Sequence, residues 1–180
     1  MGRKKSPILS RHAFSTLYER SHLVIFRYIF GLHGGPITEI EDLTGETFIH
    51  AWKARRTFQG NEDDAIYWLL RIARNLVYDT FRHQKTQKTG LQKIQNSINQ
   101  TDKDVEAQIA HHEKVQVLYS LLSNLPPQKR EFIVLRYVLG WRIKDIAHYF
   151  GMPENTASVT LRRIIEKLRQ EWLEDKIEVE

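Results

Sequence analysis

The sequence predicts an all-α protein: two small helical domains joined by a flexible linker, with a helix-turn-helix in the C-terminal one. Three observations lead there. Residues 141–172 read as two amphipathic helices around a tight glycine turn. Nowhere do apolar and polar residues alternate between turn signals as they would in half-buried strands. Residues 84–104 are polar, rich in Gln and Asn and without aromatic side chains, the composition of a tether rather than a core. The expected boundaries are therefore residues 1–83 for the first domain, 84–104 for the linker and 105–180 for the second domain.

The first helical stretch runs from Ala13 to Phe30, as one helix or two short ones, on the apolar spacing of Phe14, Leu17, Tyr18, Leu23, Ile25, Phe26 and Ile29. It is expected to end near the run Gly31-Leu-His-Gly-Gly-Pro36, which breaks helix. The next runs through Ile40–Phe58, with Thr38 and Glu41 spaced as a capping box and Ile40, Leu43, Thr47, Phe48, Ala51 and Trp52 inward. Its charge is polarised. Glu39, Glu41, Asp42 and Glu46 precede Lys53, Arg55 and Arg56. Helix-dipole complementarity explains part of that order. Separate acidic and basic contact surfaces would explain it too.

Gln59-Gly-Asn-Glu-Asp-Asp64 is a polar loop whose acids suit the cap of the following helix. That helix carries Trp68, Leu69, Ile72, Ala73, Leu76 and Phe81 inward, leaving Arg71, Arg74, Asn75, Tyr78, Arg82 and Lys85 for outer faces. Aromatics interleaved with Arg and Asn beside a polar loop suit single-stranded bases, by stacking and by amide contacts to exposed edges. Taken alone, the same aromatics fit an ordinary core. Beyond the linker a helical unit is expected from Val105 to Leu122. A helix from Pro127 to Gly140 should follow the break at Asn124-Leu-Pro-Pro127, and the acidic end, residues 173–180, should fray.

In the helix-turn-helix, Ile143, Ile146, Ala147 and Phe150 form the stripe of a short helix, and Gly151 supplies a sharp turn. Pro153 and Glu154 suit the start of a second helix. Ala157, Leu161, Ile164, Ile165, Leu168 and Trp172 share its inward face, while Asn155, Ser158, Val159, Arg162 and Arg163 point elsewhere. Small Ala147 lets the two helices cross closely. An αα-hairpin in a bundle is the plain alternative, but the basic outer face and the basic chain favour DNA.

The bulk properties agree. Formal charge is +5 and the pI about 9.4, a modest signal for a polyanionic partner. With no cysteine there are neither disulfides nor thiolate metal sites, and a reducing cytoplasm is the expected location. No apolar run is long enough to span a bilayer. The basic tail MGRKKSPILSR has no signal-peptide apolar stretch, and it reads as solvated although Gly2 and Ser6 superficially fit a myristoylation pattern.

Several motifs, in order, carry a resemblance: Glu41-Asp-Leu43, Glu46-Thr-Phe48 and Ala51-Trp52; Trp68 through Leu76 and Asp79; then Leu125-Pro-Pro-Gln-Lys-Arg130, Leu135-Arg-Tyr137 and Ile143 through Ala147, on to Leu168-Arg169. The chain resembles bacterial RNA polymerase sigma factors of the sigma-70 family, in the extracytoplasmic-function (ECF) group. The resemblance covers about residues 10–83 and 105–173. It implies a factor that binds core RNA polymerase and directs promoter-specific initiation, melting the −10 element and reading the −35 element. The core-binding surface would comprise Glu41, Asp42, Leu43, Glu46 and Phe48, docking on the coiled-coil of the largest polymerase subunit. The −10 element would meet Phe58, Gln59, Asn61, Arg71, Arg74, Asn75, Tyr78 and Arg82. The −35 element would meet Asn155, Thr156, Ser158, Val159, Arg162 and Arg163. An anti-sigma factor is a further implied partner.

The chain departs from the family pattern at Thr44-Gly45, where Val-Gln is frequent, at Gln59, where a basic residue is frequent, and at Ser158-Val159-Thr160, where Lys-Ser-Arg is usual. The last change shifts the burden of −35 binding to Arg162, Arg163 and Asn155. No catalytic motif or cofactor site is expected. Glu46 and His50 lie at i, i+4 and His111-His112 are adjacent, but neither pair has a third metal ligand at sensible spacing. Two other readings stay open at this stage, a stand-alone operator-binding regulator and a sigma-like adaptor that does not initiate transcription itself.

Overall fold

The computed structural model describes residues 10–62, 64–88, 122 and 124–177. The chain divides into two compact units, Met1–Gln95 and Asn96–Glu180. Every regular element among the described residues is a helix. The expected helix over 105–121 and the basic tail lie outside the described residues, as does the linker beyond residue 88.

In the first unit α1 spans Arg11–His33, α2 Ile37–Ala54 and α3 Asp64–Lys88, and the three pack on one another. Ser10 starts α1 by accepting a hydrogen bond from the Ala13 N–H at 3.1 Å. Phe14, Leu17, Ser21, Ile25, Tyr28 and Leu32 recur every three or four residues and are buried, so a single helix turns one face inward throughout. It ends inside the expected run Gly31–Pro36, with Gly31 itself buried within the helix. The stop comes at Gly34, whose φ of 68° only glycine takes easily and whose N–H donates to the Phe30 carbonyl at 3.0 Å.

The expected capping box at Thr38 is not formed. Helix α2 begins at Ile37 behind Pro36, already in extended geometry at ψ 147°, so Thr38 lies inside the first turn. Within α2, Ile40, Leu43, Thr44, Thr47, Phe48 and Ala51 are buried. The two threonine hydroxyls donate to the Ile40 and Leu43 carbonyls, each at 2.7 Å, and so enter the core satisfied. Helix α3 turns its seam slightly from the expected one. Ala65, Leu69, Leu70, Ala73 and Val77 are buried, whereas Trp68, Ile72, Leu76 and Phe81 are half-buried. The helix also continues to Lys88, past the expected linker start at residue 84.

In the second unit α4 spans Pro127–Ile133 and runs into a π-helical turn at Val134–Val138, where a plain α-helix was expected to reach Gly140. The Leu139 N–H closes that turn on the Val134 carbonyl at 3.0 Å. The Arg136 guanidinium donates to the Trp141 carbonyl at 2.8 Å and holds the following bend. Helix α5 (Ile143–Phe150) and helix α6 (Glu154–Ile177) form the helix-turn-helix. Gly151, at φ 65°, ends α5, and the Met152 N–H returns to the Ala147 carbonyl at 3.0 Å. Ala147 and Ala157 are both buried, as close helix crossing requires. Helix α6 runs to Ile177, and residues 178–180 of the end expected to fray lie outside the described residues.

One buried polar pair ties α4 to α5. The Tyr149 hydroxyl donates to the Glu131 carboxyl at 2.7 Å, with Glu131 fully buried. Above it Phe132 stacks on Phe150 with centroids 4.4 Å apart, and Trp141 meets Tyr149 edge-on at 5.8 Å. The orientation of α5 on α4 is therefore fixed by a directional bond as well as by area.

Candidate nucleic-acid and protein interfaces

Three surfaces gather the charged and polar side chains that the fold leaves outside. The first is the outer face of α2. Glu41, Asp42 and Glu46 are exposed, and among the described residues none has an ion pair or hydrogen bond. Ile49, 53% exposed, lies one turn beyond Glu46, with exposed Lys53 one turn further. Leu43 and Phe48, which the resemblance groups with the polymerase-binding residues, are buried in the unit's interior, as their inward spacing in the sequence implies. They are 6% and 5% exposed because their helical positions face α1, where Phe48 meets the Tyr18 ring edge-on at 4.7 Å.

The second surface joins the α2–α3 loop to the outer face of α3. Helix α2 stops at Ala54, short of the expected Phe58. Phe58, expected to meet the −10 element, is buried against Trp68, with centroids 5.1 Å apart, and anchors the loop from beneath. Asn61 already has work within the fold. Its side-chain oxygen accepts from the Asp64 N–H at 2.9 Å, while its own N–H donates to the Asp64 carboxylate at 3.0 Å. This reciprocal pair starts α3 in the manner of a capping box. Gln59 is exposed and makes no such bond. Arg20 of α1 reaches Glu62 at 3.3 Å and braces the loop tip from the side, a contact that sequence spacing could not reveal.

On α3 itself, Arg71, Arg74, Asn75, Tyr78 and Arg82 fall at i, i+3, i+4, i+7 and i+11, so the helix brings all five onto one face. Arg71, Asn75 and Arg82 are exposed, and Arg74 and Tyr78 half-buried. Arg82 lies 2.7 Å from Asp79, an exposed pair whose strength salt and solvent reduce.

The third surface is the outer side of α6. At 100° per residue Asn155, Thr156, Ser158, Val159, Arg162 and Arg163 occupy an arc of about 160° opposite Ala157, Leu161 and Ile164. All are exposed except half-buried Val159. Arg162 lies 3.8 Å from Glu166 on the same face, while Arg163 has no charged partner among the described residues. Exposed Lys144 and His148 on α5 add basic and polar character to the same motif. No group of three metal-ligating side chains occurs among the described residues, and no described helix is long and apolar enough to cross a membrane.

Comparison with known proteins gives these surfaces a context. A family model described as sigma-70 region 2 matches residues 17–87, and one described as sigma-70 region 4 matches residues 116–168. The ECF RNA polymerase sigma factor SigX of Bacillus subtilis is 28% identical over 93% of this chain and 91% of its own length. The ECF sigma factor BldN of Streptomyces coelicolor is 30% identical over 87% of this chain, which spans 59% of that protein. Among solved structures, CnrH bound to the cytosolic domain of CnrY superposes with a TM-score of 0.65 at 22% identity, covering 96% of this chain and 99% of that one. The sigma factor RpoE of Bartonella quintana, in complex with the anti-sigma factor NepR, gives 0.62 at 20% identity, covering 87% and 94%. At those identities the structures speak for the fold alone.

Proposed function

Because the chain belongs to the sigma-70 family of RNA polymerase sigma factors, in its ECF group, we propose that its three surfaces divide the work of promoter-directed transcription initiation. The observation that carries this reading is the first unit's pairing of two outward faces, unpartnered acids on α2 and Arg, Asn and Tyr on α3. A stand-alone operator-binding protein needs neither.

In this reading Glu41, Asp42 and Glu46 dock on the coiled-coil of the largest subunit of core polymerase, with Ile49 supplying apolar contact. Leu43 and Phe48 act behind them by holding α2 on α1. The loop 58–64 and the α3 face take the melted −10 strand. Extruding a base from the stack costs a few kcal/mol. Stacking on an aromatic side chain returns about 1–3 kcal/mol per base. Tyr78 offers a stacking ring, Gln59 and Asn75 offer amides to base edges, and Arg71, Arg74 and Arg82 face the phosphates. Asn61 and Phe58 set the loop's shape rather than touching DNA.

In the second unit α6 enters the major groove of the −35 element, the usual placement of the second helix of such a motif. One of Arg162 and Arg163 reads a base edge and the other a phosphate. With Ser158-Val159-Thr160 neutral, few cations remain on that face, so affinity for an isolated −35 duplex is low and polymerase docking supplies the remainder. Nucleotide addition itself belongs to the polymerase. The site of action is the cytoplasm. An anti-sigma factor is a further partner, in line with the inhibitor complexes of the structural neighbours.

Run-off transcription with purified core polymerase, on a template with spaced −35 and −10 elements, tests the assignment. The expected result is a discrete transcript that requires the chain. Duplex binding without any transcript would favour the non-initiating adaptor.

A further inference from the structure

We infer that α5, through Arg142 and Lys144, grips the phosphate backbone of the −35 element and supplies most of the sequence-independent part of its binding. The inference rests on the reading of α5 and α6 as the −35 motif, and separates the residues that hold the backbone from those that read bases.

Helix α5 has one free face. From Trp141 to Phe150 the exposed residues are Arg142, Lys144 and His148, and every other position is buried or half-buried. Lys144 and His148 lie one turn apart, with Arg142 at the mouth of the helix. The one acid of the segment, Asp145, is already engaged. Its carboxylate accepts from the Arg142 N–H at 3.3 Å and from the Arg142 Nε at 3.2 Å. Among the described residues Lys144 has no ion pair, and the terminal guanidinium nitrogens of Arg142 make no hydrogen bond. The contact with Asp145 is an exposed ion pair of the weak kind, so it does not withhold Arg142 from a phosphate.

This face is also held still. The Arg136 guanidinium fixes the bend before α5 through the Trp141 carbonyl at 2.8 Å, and the Tyr149 hydroxyl pins the helix to buried Glu131 at 2.7 Å. Arg142 and Lys144 therefore start from a fixed backbone, and little chain ordering is left for binding to do. With α6 in the major groove, the first helix of such a motif crosses the DNA backbone. The one face that α5 can turn toward it is basic. On α6, Ser158-Val159-Thr160 is neutral, and with one of Arg162 and Arg163 given to a base edge a single arginine of that pair is left for a phosphate. Two cations on α5 against one there put the larger share of backbone contact on α5.

The test is binding of the full chain to a −35 duplex and to a scrambled duplex, read by fluorescence anisotropy across a salt series. The variants are Arg142→Gln, Lys144→Gln, the two together, and Arg142→Lys. Each single Gln change should lower the salt slope by about one, and the pair by about two. A slope of about 0.9 per contact between about 1 M and 0.1 M salt makes each single change an approximately eightfold loss at the lower salt, on both duplexes alike. Arg142→Lys should keep the wild-type slope, and melting temperatures should hardly move, since both side chains are exposed. If the wild type prefers the −35 duplex and the Gln variants keep its slope, α5 does not hold the backbone and the −35 reading stands. If the wild type binds both duplexes equally, both readings fall. A loss confined to the −35 duplex would make these residues base readers and overturn the inference. So would an equal loss in Arg142→Lys, which would assign the arginine to packing rather than charge.

Discussion

Replacing Tyr149 with Phe isolates one interaction in the helix-turn-helix unit and allows its magnitude to be worked out. The substitution keeps the ring, so its contacts with Trp141 at 5.8 Å and Phe150 at 5.0 Å survive and no cavity opens. What is lost is the 2.7 Å hydrogen bond to Glu131, whose side chain is fully buried and cannot turn to water. Removing a donor from a buried acceptor costs about 1–3 kcal/mol. For a unit of this size each kcal/mol lowers the melting temperature by about 4–8 °C, so a fall of between about 4 and 24 °C is expected. Thermal unfolding followed by near-UV circular dichroism reads this directly, through the aromatic cluster around Tyr149. Glu131→Gln keeps an acceptor and should cost less. In that background Tyr149→Phe should lose only about 0.5–1.5 kcal/mol, because a neutral acceptor forms the weaker bond. The difference between the two backgrounds is the coupling energy of the pair. If Tyr149→Phe in the wild-type chain stays within about 0.5 kcal/mol, as an ordinary surface substitution would, the bond does not hold α5 on α4.

Two further predictions concern DNA. Arg162→Ala and Arg163→Ala should separate by salt titration against a −35 duplex. The base-reading arginine should cost about 1–3 kcal/mol and relax one position, the phosphate-bound one should weaken all sequences alike and lower the salt slope by about one, and equal, sequence-independent losses would refute the division. In the loop, Asn61→Ala should destabilise the first unit by about 0.5–2 kcal/mol through loss of the Asp64 cap, whereas Gln59→Ala should leave stability unchanged and shift −10 preference in open-complex assays. An Asn61→Ala chain that melts like wild type, or a Gln59→Ala chain with unchanged preference, would undo that partition.

Much of the helical layout was legible in the sequence because burial on a helix leaves a period of three to four residues. Ile146, Ala147, Ala157, Leu161 and Ile164 lie inside as expected, and Gly151 turns where a left-handed residue was required. The departures occur where packing or a competing neighbour overrides the local signal. The first helix does stop within the run Gly31–Pro36, though at Gly34, since Gly31 is buried in the continuous seam. Thr38 has the spacing of a cap, but Pro36 starts the helix two residues earlier. The π-helical turn after Ile133 depends on how Leu139 and Trp141 fold back, which no local pattern encodes.

The interfaces divide along the same line. Charged residues such as Asp42, Glu46, Arg71 and Arg163 were legible as surface because their desolvation cost keeps them out. Whether an uncharged motif residue points outward depends on a helical phase set by tertiary packing. Leu43 and Phe48 belong to motifs of the interface yet lie inside, as their inward spacing in the sequence implied, whereas the burial of Phe58 beneath its loop had no such signal. Ile49 could have been found from sequence, since it breaks the inward phase of Ile40, Leu43, Thr47, Phe48 and Ala51 by pointing apolar area outward.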